Sequence, residues 1–193
     1  MFEQTPVPTF PRLVALCGHP KSGKSEVQLT LNKVFGYQPV DDGFALRKFA
    51  VESLGLSWDD VQSQAGKARS TQILGLEWIN REILGEFGNR LEVMFGEHIM
   101  PFMATRHLNP NQLYSFGSVR KTQGAFYKDL GGVVIGVRRP GVGPSGYAFD
   151  LFDESLVDHW IDNDGTLDDL RMKAAGLLGK ISAKNLIGAI TSA

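Results

Sequence analysis

Eight residues, Gly18-His19-Pro20-Lys21-Ser22-Gly23-Lys24-Ser25, combine types and spacing that handle phosphate. Glycines at both ends let the backbone turn tightly, so that successive N–H groups through Lys21, Ser22 and Gly23 point inward at anionic oxygens. A helix opening just beyond would add its positive dipole end. Lys24 would reach the β and γ phosphates of a nucleoside triphosphate, and the Ser25 hydroxyl would take one position on Mg²⁺. The bland alternative is a glycine-rich turn that holds no phosphate.

This chemistry needs a buried strand before the motif and a helix after it. Leu13-Val14-Ala15-Leu16-Cys17 is an unbroken apolar run, which suits a strand covered on both faces. Ser25 to Phe35 has helical spacing, with Val27, Leu31 and Val34 roughly on one side. A short strand, Tyr37 to Val40, ends in Asp41-Asp42-Gly43. Helical patterns follow over Phe44 to Leu54, Leu76 to Phe87 and Arg90 to Met103. Ser57 and Asp60 match a capping box, and Gly66 to Thr71 reads as a loop. The last third alternates. Strands are expected at Leu113 to Gly117, Val133 to Val137 and Leu156 to Ile161. Helices are expected from Thr122 to Leu130 and beyond Thr166, where Leu167, Leu170, Ala174, Leu177 and Ile181 recur. Strands alternating with helices imply an α/β fold: a parallel sheet of about five strands with helices on both faces. Residues 12–43 and 112–193 form the core of a single domain, 44–111 a helical insertion, and the glycine- and proline-rich stretch 138–150 a loop.

The 193 residues suffice for one self-supporting core, with 42% apolar and 21% charged residues. One cysteine, Cys17, excludes a disulfide framework, and His19, His98, His107 and His159 lack metal-ligand spacing. The Pro6, Pro8, Pro11 arm has neither the basic start nor the apolar stretch of a signal peptide, and no apolar run reaches ~18 residues. The formal charge is −1, which disfavours a nucleic-acid partner. That sum hides two regions. Asp150 to Asp169 holds eight acids and no Lys or Arg, leaving 20 basic and 13 acidic groups elsewhere.

Transfer of a phosphoryl group requires cations where negative charge gathers. Arg139, at the head of the glycine-rich loop, Arg120, after a strand's carboxyl end, and Arg81, on the insertion, are the candidates; Arg138 is weaker. Lys67 and Arg69 either contact an acceptor or are solvated charges. For Trp58, Trp78 and Trp160 core packing is the expectation.

The phosphate motif, Arg81-Glu82-Ile83-Leu84-Gly85-Glu86-Phe87-Gly88, Ser118-Val119-Arg120, Gly131-Gly132 through Arg139-Pro140-Gly141, and Ile161 through Leu167 occur in the order found in deoxynucleoside monophosphate kinases of the bacteriophage type. The chain resembles that family, within the phosphate-loop nucleoside monophosphate kinases. The resemblance implies the three-layer P-loop NTPase fold, with the helical insertion as monophosphate site and 138–150 as a short lid. It implies transfer of the ATP γ-phosphate to a deoxynucleoside monophosphate with Mg²⁺. Arg81 would hold the acceptor phosphate, Arg139 would serve the lid, and Lys24, Arg120 and Arg139 would act at the transferring group. Asn163 and Gly165 would lie beside the adenine. The family pattern has, where Ser118 stands, an acid that would help orient the water shell of Mg²⁺; Asp41 or Asp42 would compensate, with Asp42 also a substrate contact, unless the pair is a solvated turn. Two other readings stay open: a kinase for another small metabolite such as dephospho-coenzyme A, or an ATPase module serving a macromolecular partner. The expected partners are small nucleotides, with no nucleic acid or membrane and a homodimer left open, in the cytoplasm (the host's, if the chain is viral).

Overall fold

The computed structural model describes residues 10–191, which divide into two compact units. The first comprises the described residues of Met1–Val40 and Leu108–Ala193, the second Asp41–His107. In chain order, the first unit opens with β1 (Leu13–Cys17), α1 (Lys24–Phe35) and β2 (Gln38–Val40). The second contains α2 (Phe44–Leu54), α3 (Trp58–Gln62), α4 (Gln64–Ala68), β3 (Ser70–Ile73), β4 (Leu76–Ile79), α5 (Asn80–Phe95) and α6 (Ile99–Thr105). The first then resumes with β5 (Tyr114–Phe116), α7 (Gln123–Asp129), β6 (Val133–Arg138), β7 (His159–Asp162) and α8 (Leu167–Thr191).

In the first unit five parallel strands lie in the order β2-β5-β1-β6-β7, with helices on both faces. β1 is central and wholly buried, which is why its sequence shows no polar alternation. Alternate residues serve opposite faces. Val14, Leu16, Val133, Ile135 and Val137 meet Val27 and Leu31 of α1 and Leu170, Ala174, Leu178 and Ile181 of α8. On the other side Tyr127 of α7 packs its ring 4.5 Å from that of Phe116. The expected faces need small corrections. Val34 and Leu167 are exposed, and Leu178, not among the expected positions, is fully buried. β7 starts three residues later than expected, after a short turn of 3₁₀ helix at Glu154–Leu156.

The second unit departs further from its sequence pattern. Gly66 to Thr71 is not a loop: it contributes to α4 and β3. Leu76–Ile79 is not helical but pairs antiparallel with Ser70–Ile73. The connection is Leu74-Gly75, both at positive φ (52° and 78°), the geometry of a two-residue hairpin turn. Such a turn is ordinarily marked by Asn-Gly, and leucine concealed it. The helix expected from Arg90 to Met103 is broken at Gly96 (φ 96°). Trp58 and Trp78 are about 40% exposed, not core, and in α2 it is Leu46 and Ala50 that are buried rather than Phe44 and Phe49. The capping box is present as read: the Asp60 amide donates to Ser57 Oγ, and the Ser57 amide to Asp60 Oδ2. Among the described residues no helix is long and apolar enough to cross a membrane.

β6 and β7 are held in register by a close approach. Gly136 lies opposite Trp160, and a Cβ on it would stand 2.5 Å from the indole ring. Two residues on, the Arg138 guanidinium lies 4.9 Å from the centre of that ring and donates to Asp162 Oδ1 at 2.5 Å. Arg138 is thereby a strand-end fastening. Gly136→Ala should lose about 1–3 kcal/mol of unfolding free energy, because rigid ring atoms must shift. Urea titration of the variant against the parent checks this.

Candidate functional site

The phosphate motif begins where β1 meets its neighbour most tightly. At Gly18 (φ 139°) a Cβ would sit 2.2 Å from the Val137 carbonyl oxygen, so no side chain fits. The loop then turns through a hydrogen bond from the Ser22 amide to the His19 carbonyl (3.1 Å), with Lys21 at φ 69°. A non-glycine residue there costs conformational energy, which the surrounding loop must repay. Gly23 (φ 114°) leads into α1 with no side-chain cap. The first amides of α1, including those of Lys24 and Ser25, therefore face the loop without intrahelical acceptors.

Lys24 folds over this loop, its ammonium donating to the carbonyls of Gly18 (2.6 Å) and His19 (2.9 Å). Burial, and next the positive charge of Arg120, push its pKa down from 10.5 to about 8. The neighbouring Asp150 acts in the opposite sense. The cation is thus poorly solvated, a state that an arriving anion relieves. Two further polar atoms of the loop, Ser22 Oγ and His19 Nδ1, are buried with no hydrogen-bond partner among the described residues. Ser25 is exposed on the first turn of α1. Cys17, beneath the loop, has its thiol pushed up to about 12 by burial and is not a nucleophile.

Within the first unit Asn163 and the Arg120–Asp150 pair act on the loop. Asn163, just after β7, donates from Nδ2 to the Ser22 carbonyl (2.9 Å). Its side chain thus steadies the phosphate loop, a use unseen from sequence. Arg120 follows β5, its amide bonded to Gln123 Oε1 (3.1 Å). Its guanidinium pairs with Asp150 (3.2 Å) and donates to the Phe149 carbonyl (3.4 Å). Asp150 was not distinguished in the acidic stretch, yet it is the one acid there that is buried. It is placed by backbone pairing of the segment that follows it. The Lys121 amide donates to the Leu151 carbonyl (2.7 Å) and the Asp153 amide to that of Lys121 (3.0 Å). Gly165 lies against Asp169, the carboxylate that caps α8 through the amide and hydroxyl of Thr166. Arg139 is exposed at the head of the glycine-rich loop.

The remaining candidates belong to the second unit. Asn80, fully buried, donates to the Gly66 carbonyl (2.9 Å) and accepts from Thr71 Oγ1 (2.6 Å), tying α4, β3 and α5 together. Next to it, Arg81 donates to Gln64 Oε1 (2.8 Å), which brings it to the start of α4; Lys67 lies in the last turn of that helix. Arg69 is engaged by Asp59 (2.5 Å) and Asp60 (2.7 Å); hydrogen bonds from Ser57, and next from Arg69, hold Asp60 down to about 2. Asp41 pairs with Arg47 and accepts from the Gly43 amide, so the Asp41-Asp42 pair is not a merely solvated turn: Asp42 is buried.

No protein-family model and no curated protein matches the chain. Solved structures do. The chain aligns with dephospho-CoA kinase from Campylobacter jejuni at 14% identity and a TM-score of 0.52, over 90% of this chain and 98% of that one. A gluconokinase from Sinorhizobium meliloti gives 14% identity and a TM-score of 0.48, over 93% and 98% of the two chains. At such identities the likeness is one of fold. The five-stranded parallel sheet with helices on both faces is a fold the chain shares with that dephospho-CoA kinase.

Lys24 binds its proton less tightly in the folded chain than in the unfolded one, so stability should rise with pH between about 8 and 10.5. Lys24→Met should abolish that rise and stabilise the ligand-free protein at pH 7 by about 1–2 kcal/mol. Urea unfolding at pH 7 and 9.5 reads both effects.

Proposed function

We propose that the chain is an ATP-dependent phosphotransferase whose acceptor is a deoxynucleoside monophosphate. The observation that carries the transferase reading is the Lys24 ammonium folded onto the Gly18 and His19 carbonyls at the amino end of α1, with the positive charge of Arg120 acting on it. Two cations and a row of backbone amides suit a triphosphate, whose charge must be neutralised before an acceptor oxygen can approach. In this reading the loop from Gly18 to Gly23 and Lys24 bind the β and γ phosphates, while Arg120, joined by Arg139 from the loop above, meets the transferring group. Ser25 supplies an accessible hydroxyl of the hard-oxygen kind that Mg²⁺ takes. No three His, Cys, Asp or Glu side chains gather as a metal site among the described residues. The ion would therefore be held by Ser25, phosphate oxygens and water; when bound, it offsets phosphate charge. The backbone at Asn163 and Gly165 serves the adenine edge. Transfer is in line, with no covalent enzyme intermediate and no general base required.

The acceptor assignment rests on the family resemblance of the sequence and on the cations of the second unit. Arg81 holds the monophosphate, with Lys67 and Asp42 as further contacts, whereas Arg69 is taken up by Asp59 and Asp60. The fold likeness to a dephospho-CoA kinase supplies a second reading, in which the acceptor is the hydroxyl of dephospho-CoA.

A coupled assay of ADP formation against dAMP, dCMP, dGMP, dTMP, their ribo forms and dephospho-CoA separates these. We expect turnover with at least one deoxynucleoside monophosphate. Turnover with dephospho-CoA alone selects the second reading, and none with any acceptor overturns both. Arg81→Ala should raise KM for the monophosphate about 10- to 100-fold, the loss of a charge-assisted contact, with ATP affinity retained by calorimetry.

A further inference from the structure

Asp150 is a buried carboxylate, its side chain 5% exposed, and its two oxygens serve different parts of the first unit. Oδ1 faces the Arg120 guanidinium at 3.2 Å, while Oδ2 accepts from Ser145 Oγ at 2.7 Å. Ser145 belongs to the glycine-rich loop that begins at Arg139. Near it, substituents at Gly141, Gly143 and Gly146 would meet nothing within 4 Å, and the Tyr147 amide also donates to Ser145 Oγ (3.4 Å). The loop is closed at its far end by the stacked rings of Tyr147 and Phe149 (4.9 Å), and the Phe149 carbonyl also accepts from Arg120. A buried charge is retained only when its partners compensate it, and losing one partner leaves the other stranded. Arg120 and the glycine-rich loop are therefore coupled through one side chain.

We propose that Asp150 is a positioning residue for phosphoryl transfer: it aligns Arg120 through one carboxylate oxygen and tethers the glycine-rich loop at Ser145 through the other. Loop seating and arginine alignment are then set together, so that a nucleotide meeting Arg120 also acts on the loop that carries Arg139. The catalytic half of this statement rests on the kinase reading above; the tether does not. In this role Asp150 acts through Arg120 and Ser145.

The test uses the full chain and the variants Asp150→Asn, Ser145→Ala, Arg120→Ala and the double variant Asp150→Asn/Arg120→Ala. With the accepted monophosphate, Asp150→Asn should lower kcat about 10- to 100-fold with each KM changed less than about twofold. In the Arg120→Ala background the same change should have no further effect on kcat. Independently, amide hydrogen exchange of residues 141–147 without nucleotide should quicken at least about fivefold in both Asp150→Asn and Ser145→Ala. Additive kcat losses, or unchanged exchange in both variants, would overturn the proposal. If the parent protein phosphorylates none of the acceptors, the kinase reading falls, and the exchange measurement alone decides the tether. Thermal melts report whether Asp150→Asn still folds; if it does not, Asp150→Glu and Ser145→Ala carry the same readouts.

Discussion

Everything in the first unit follows from one electrostatic constraint: an ammonium must be kept poorly solvated at the open end of a helix. Lys24 feels the carboxylate of Asp150 only as a nearby charge. It finds two carbonyls of its own loop, and the charge of Arg120 nearby. Such a state is costly without an anion, so the scaffold around it has to be rigid. Rigidity comes from β1 buried at the centre of the sheet, from the contact between Gly18 and the Val137 carbonyl, and from Asn163 holding the Ser22 carbonyl. Each of these arrives from a different part of the chain, and each fails if the parallel register of β1, β6 and β7 is lost.

The near-zero net charge takes on a structural meaning in the same light. The acidic stretch from Asp150 to Asp169 is not a solvated tail. Asp150 meets Arg120, Asp158 meets Lys128 and the Val134 amide, and Asp162 meets Arg138. Asp164 pairs with Lys173, Asp168 with Arg171, and Asp169 caps α8. Most of these pairs are exposed and contribute little energy each. Their value is placement: they fasten the edge strand β7 and the start of α8, which carry Asn163 to the loop.

The two units were unequally legible. In the first, β1, the phosphate motif, α1 and the buried part of β6 announced themselves, because a strand buried on both faces and a loop of fixed glycines each leave a pattern that little else produces. In the second, the hairpin of β3 and β4 was invisible. Leu74 occupies a turn position that usually signals itself with asparagine, and Thr71, Ile73, Trp78 and Ile79 lie within reach of a helical period as well as a strand's. Gly96 reads as an interior helix residue until its positive φ of 96° is seen.

The sequence by itself determined the phosphate motif, the strand and helix that flank it, and the α/β character of the sheet, since these depend on local geometry and on neighbours a few residues away. Tertiary structure alone decided that Asp150, among eight acids, is the buried one, that Asn163 reaches back across 141 residues to Ser22, and that Arg69 is committed to Asp59 and Asp60. The reason is physical. A charge or an amide becomes specific when it is desolvated beside a particular partner, and desolvation is a property of the packed chain, not of the order of its residues.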